Sequence, residues 1–147
     1  MLLASCGAAV RPASGGGVAF TDVASAGMSA YEGAATVVVG ASDASRARIV
    51  QLVGAASSVS TDRVLVAAFQ GSQRTGGYAI RIDRIERDGD QLVLRATFTE
   101  PQPNGVVIQV LTSPAHVVSV ARTDVAHVAS VVLRDADGKE RARARVG

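Results

Sequence analysis

The side chains of this sequence best suited to move protons or hold a metal are two histidines, His116 and His127, and one cysteine, Cys6. His116 follows Pro114-Ala115 and His127 lies in a strand-like pattern, so the two could meet across neighbouring strands with Asp124 nearby. Two imidazoles and a carboxylate would bind a metal ion or shuttle a proton. The plainer expectation is a half-buried ring hydrogen-bonded to backbone. Cys6 precedes a flexible stretch that keeps it from any Cys/His pair, and a lone cysteine excludes an internal disulfide or a Cys-rich metal site. The sequence holds no Gly-x-Ser-x-Gly elbow, no His-Glu-x-x-His, no P-loop and no Gly-x-Gly-x-x-Gly after a strand. It therefore offers no catalytic residue and no cofactor motif, and none is expected.

Binding chemistry is better represented. Gly71-Ser72-Gln73-Arg74-Thr75-Gly76-Gly77-Tyr78 lies between two strand-like runs and is richer in special residues than a plain turn requires. Adjacent glycines suit a backbone at positive φ, where a Cβ costs roughly 1–2 kcal/mol. Such a loop is stiff once closed. Thr75 offers a hydroxyl to cross-link the turn, and Tyr78 is expected to anchor the base with its ring in the core and its hydroxyl on a carbonyl. Binding residues concentrate on loops held by rigid scaffolds. The alternative is that the segment is only a tight strand connection.

The elements that would hold this loop follow from composition and period. At 147 residues the chain has one-domain length, with 48% hydrophobic but only 3% aromatic residues. Its core must be aliphatic, and the abundance of Val favours sheet. Thr36–Gly40 reads as a strand. Ser42 or Asp43 can cap a helix over 43–53, with Ile49, Leu52 and Val53 on one face and Gly54 as its stop. Val64–Phe69 is continuously apolar, as in a strand covered on both faces. Tyr78–Ile85 alternates with a slip at Asp83-Arg84 that suggests a bulge, Asp88-Gly89-Asp90 turns the chain, and Leu92–Phe98 returns. Pro101–Gly105 breaks the sheet. Val106–Thr112 and Val117–Ala121 read as strands, and a last hairpin runs from Val125 to Leu133 and returns over Arg141–Val146 after Asp137-Gly138. In that return the arginines share the wet face and Ala142, Ala144 and Val146 the dry one. The expected fold class is α+β, mainly antiparallel β with about eight strands and one α-helix near residues 43–53.

A net charge of +2 and few aromatic residues exclude the usual footprint of a nucleic-acid binder. No apolar run approaches the ~18–20 residues that cross a bilayer as a helix. At the N-terminus, Leu3-Ala4-Ser5-Cys6 resembles the lipobox of bacterial lipoproteins, whose cysteine is acylated, although only Met1, Leu2 and Leu3 precede Ala4. Arg11–Gly17 is Pro/Gly/Ser-rich and reads as a tether. Residues 1–17 are thus expected to be a lipoprotein signal remnant and flexible tether, and 18–147 a single β-rich domain.

Gly71 through Tyr78, placed between a hydrophobic strand and Ala79–Ile82, resembles the G-x-x-P-T-G-G-Y signature of the PrcB C-terminal domain family. The Leu92–Phe98 strand, Pro101, Gln109 and Thr112-Ser113-Pro114-Ala115-His116 before Val117–Val120 extend the resemblance over roughly residues 36–123. Arg74 stands where the family usually has Pro, and Ala115 where it often has Tyr. The resemblance implies a non-enzymatic envelope lipoprotein domain, anchored to a membrane through Cys6, that binds and stabilises a partner protein such as a secreted protease. Its partner-binding residues would be Arg74, Thr75, Gly76, Gly77, Tyr78, Thr112, Ser113 and His116. The loop is also similar to the Asn-Pro-Thr-Thr-Gly-Tyr loop of chagasin-type cysteine-protease inhibitors, which leaves an inhibitor as an alternative. A small metal-binding or enzymatic domain using His116 and His127 is another.

Overall fold

The computed structural model describes residues 10–11, 17–54 and 59–146. Cys6 and most of the expected tether lie outside the described residues. Among the described residues are nine strands, one α-helix and one 3-10 turn: β1 (Val10–Arg11), β2 (Phe20–Ala26), β3 (Thr36–Gly40), α1 (Asp43–Val53), β4 (Arg63–Phe69), β5 (Ala79–Asp88), β6 (Gln91–Thr99), β7 (Ala115–Ala121), the 3-10 turn Arg122–Val125, β8 (Ser130–Arg134) and β9 (Glu140–Arg145). The strands form two sheets, ordered β1-β2-β7-β4-β3 and β5-β6-β8-β9. The fold class is α+β, as the sequence pattern indicates.

The two sheets enclose an aliphatic core, and α1 covers the outer face of the first. In β4, Val64, Val66 and Ala68 face the inter-sheet core while Leu65, Ala67 and Phe69 face the helix layer with Ile49. That explains the unbroken apolar run, since neither face of β4 meets water. In β7, Val118 and Val120 join the inter-sheet core, and Ala115 and Val117 the helix layer. Ser42 caps α1 in a reciprocal box with Ser45, and Gly54 ends it at φ 76°. The helix buries Ile49 and packs Leu52 and Val53 against the same layer.

The β5–β6 hairpin turns through Gly89 at φ 61°, and the register slips between Ile82 and Arg84 as the sequence suggests. Asp83, in the slip, accepts hydrogen bonds from Arg81 and Thr97. Ala142 and Ala144 of β9, and Val146 just after it, pack toward the inter-sheet core.

The strand expected at Val18–Phe20 instead runs over Phe20–Ala26, and three further features differ from the sequence expectation. Val106–Thr112 is not a strand. The chain leaves β6 in the second sheet and must reach β7 in the first, so the segment between them crosses the gap without a sheet neighbour. The same applies after β7: the expected strand from Val125 begins only at Ser130. The corner before it is built by the 3-10 turn and by His127, which is held at φ 62°. Two successive crossings return β8 alongside β6 in the same direction, so this pair is parallel, the others being antiparallel. Alternation within a segment reports which face is dry, and carries no information about which sheet receives it.

Candidate functional site

Gln70 follows β4, with its backbone N–H on the Pro114 carbonyl (2.9 Å) and its side-chain amide on the Thr99 carbonyl (3.0 Å). The loop beyond it rests on two neighbours. Ser72 and Gly33 are tied reciprocally: Ser72 N–H donates to the Gly33 carbonyl at 2.8 Å, and Gly33 N–H donates to Ser72 Oγ at 3.1 Å. Gln73 and Thr112 exchange backbone hydrogen bonds in both directions at 2.8 Å. Gly76 N–H donates to the Ile108 carbonyl at 3.0 Å, and Thr112 Oγ1 to the Thr75 carbonyl at 2.8 Å. Residues 108–112 therefore run back along 73–76, and each stiffens the other.

The glycines are demanded by this packing. Gly71 sits at φ 94°, where a Cβ would fall 2.8 Å from the Gly33 carbonyl oxygen and 2.9 Å from backbone atoms of Ala34 and Ala35. Gly77 sits at φ 89°, where a Cβ would fall 2.7 Å from the Pro101 side chain and 3.2 Å from Val107. Both combine a left-handed backbone with a close approach.

Arg74 and Gly77 are exposed, and Thr75, Gly76 and Tyr78 are half-buried. The tip of the loop is reachable from outside. Thr75 cross-links the turn only locally, its hydroxyl donating to the Gly76 carbonyl at 3.0 Å. Tyr78 departs from expectation. It lies beside Pro114 and Ala115, outside both core clusters, and among the described residues its hydroxyl has no hydrogen bond. The loop is held by backbone pairing, which makes the aromatic anchor unnecessary.

Thr112 is half-buried at the seam, whereas Ser113 (5% exposed) and His116 (3% exposed) are sunk beneath the surface. Both hold the surface from beneath, with little of either side chain open to solvent. Ser113 acts as a buckle: its Oγ donates to the Tyr31 carbonyl (2.8 Å) and accepts from Ser29 Oγ (3.0 Å). Its backbone also pairs with Gly27 and Ser29.

His116 ties the sheets together. Its Nδ1 accepts the Ile82 N–H at 2.8 Å and its Nε2 faces Asp22 Oδ1 at 3.1 Å. β5 is an edge strand, so some of its N–H groups point away from β6, and His116 satisfies one of them. Both nitrogens are engaged, and neither is left to act as a base for Ser25, which shares the shallow pocket with Asp22 and Arg81. His127 is exposed in the corner beyond the far end of β7, about 16 Å of strand away at ~3.3 Å per residue, so the two histidines do not meet. No group of three or more His, Cys, Asp or Glu among the described residues is placed to hold a metal ion. No helix among them is long and apolar enough to cross a membrane.

The surface beside the loop was not legible as a site. Val106, Ile108 (68% exposed), Leu111 (72%) and Met28 (65%) present aliphatic side chains to solvent around it. Single apolar residues on a surface are ordinary; here Met28 and Leu111 line one cleft and Ile108 lies beside Gly76 of the loop. One sequence signal pointed here: from Pro101 to Ala121 the chain carries no Asp, Glu, Lys or Arg. A buried strand accounts for such a run equally well, which is why the run alone did not identify the surface.

Comparison with known proteins agrees with the resemblance carried by the loop. No curated protein and no solved structure matches the chain. Residues 64–121 match the family model described as PrcB C-terminal. The match runs from β4 through the glycine loop, the β5–β6 hairpin and the crossover to β7, so over this stretch the chain is similar to the PrcB C-terminal family.

Proposed function

We propose that this protein is a non-catalytic subunit of the bacterial cell envelope, lipid-anchored through Cys6, that binds and stabilises a partner protein such as a secreted protease. The observation that carries the reading is the stiff loop Gly71–Tyr78, backed on 108–112 and flanked by exposed Val106, Ile108 and Leu111. An ordered loop loses little further freedom on association, and uncovered aliphatic side chains supply the driving force. The PrcB C-terminal match supports association within a complex. The engagement of both His116 nitrogens in structural bonds supports a binding role over a catalytic one.

Photo-crosslinking in intact envelopes tests this, with the photoreactive residue placed at position 74 in the full chain. A discrete adduct with one envelope protein is the expected result, along with faster loss of that protein in cells lacking this subunit. Absence of any adduct from position 74 would overturn the reading.

A further inference from the structure

We propose that the cleft between Met28–Glu32 and Leu111–Ser113 receives a basic side chain, arginine or lysine, of the partner protein. This rests on the partner-binding reading above and gives its contact a chemistry. The cleft measures about 410 Å³ and is lined chiefly by Met28, Tyr31, Glu32, Ser72, Leu111 and Thr112. It adjoins the loop directly, since Ser72 belongs to it and Thr112 pairs with Gln73.

The walls suit a long side chain with an apolar stem. Met28 and Leu111 leave most of their surface open beside it, and Tyr31 is fixed in place by its hydroxyl on the Ala34 carbonyl (2.8 Å) and its ring 5.0 Å from that of Phe69. The stems of Lys and Arg pack on such surfaces while the charged head seeks a partner. That partner is Glu32. It is exposed at the cleft, and among the described residues no cation or hydrogen-bond donor meets it. Among the described residues no Arg or Lys lines the cleft, and Arg74, the basic residue of the loop, is absent from its walls. A single negative charge set among aliphatic and hydroxyl groups is complementary to one cation on an apolar stem, and mismatched to an acidic or wholly apolar insert.

The cleft is also prepared. Ser113 clasps Tyr31 and Ser29, Ser72 clasps Gly33, and Ala30 N–H donates to the Leu52 carbonyl at 2.7 Å, tying this wall to the end of α1. Its shape therefore does not have to be organised by the incoming residue.

The test titrates the full chain with acetyl-Val-Arg-Val-amide and with its norleucine counterpart, which keeps the stem and removes the charge. Backbone amide shifts in the NMR spectrum report binding. Expected are shifts at Ser29, Glu32, Ser72 and Thr112, and about threefold tighter binding of the arginine peptide, the size of an exposed to half-exposed ion pair. In E32Q, which removes no bond of the fold, that preference should disappear. No shifts at these residues, equal affinity for both peptides, or a preference that survives E32Q would overturn the assignment. If crosslinking from position 74 still traps a protein while the peptides fail, only the cleft is withdrawn. If the peptides behave as expected and crosslinking fails, the reading of an envelope partner falls instead.

Discussion

The molecule contains two kinds of glycine turn, one at each of two regions. At the hairpin corners, Gly89 (φ 61°) and Gly138 (φ 83°) adopt left-handed backbone, but a Cβ at either would meet nothing within 4 Å. At the loop that follows β4, Gly71 and Gly77 adopt the same backbone while pressed on Gly33–Ala35 and on Pro101. The first kind only reverses the chain. The second is built into its neighbours, and it lies beside the aliphatic residues that the core leaves uncovered. A turn that fits against other segments is held in one shape, and holding a shape at the surface is what recognition requires.

Substitutions can break or sharpen this contrast. The largest effect is expected for Gly71→Ala, where left-handed strain adds to overpacking against backbone that cannot swing aside. About 2–4 kcal/mol of stability should be lost in chemical denaturation. Gly77→Ala should cost about 2 kcal/mol, since the Pro101 contact is with a side chain at the edge of the crossover, and it should weaken partner capture. At the corner, Gly89→Ala should cost about 1 kcal/mol and leave capture unchanged. A Gly89 variant as costly as Gly71 would erase the distinction between the two regions.

His116→Leu probes the scaffold behind the surface. It removes the acceptor of the buried Ile82 N–H, and an orphaned donor costs roughly 1–3 kcal/mol, to be read as a lowered denaturation midpoint. Unchanged stability would mean that the bond between the sheets contributes nothing.

The smallest effect belongs to the β9 edge. The hydrogen bond from Arg143 holds the Glu140 carboxyl below its ordinary range. The stability this lends is present above the ordinary carboxylate pKa and is lost as pH falls through the lowered one. Both partners are solvent-exposed, so Glu140→Gln should leave the melting curve at neutral pH unchanged within error.

Much of the architecture could be read from local pattern. The 3.6-residue spacing of Ile49, Leu52 and Val53 marked α1, the unbroken run of β4 marked a strand covered twice, and the Asp-Gly turns marked both hairpins. The loop from Gly71 was legible because its glycines are conspicuous between two strands. Three things were not. Val106–Thr112 and Val125–Ala129 have strand composition, but each spans the gap between sheets, a fact of topology that no local window contains. Tyr78 has the character of an anchor, yet backbone pairing of 73 with 112 already fixes the loop. Finally, Met28–Glu32 joins the surface through Ser113 and Ser72, contacts between residues far apart in sequence.

Ile108→Asp tests the central claim most directly. The side chain is exposed, so the variant should melt within experimental error of the parent, while crosslinking from position 74 should no longer trap a partner. A folded Ile108→Asp protein that captures its partner as well as the parent would contradict the assignment of this surface.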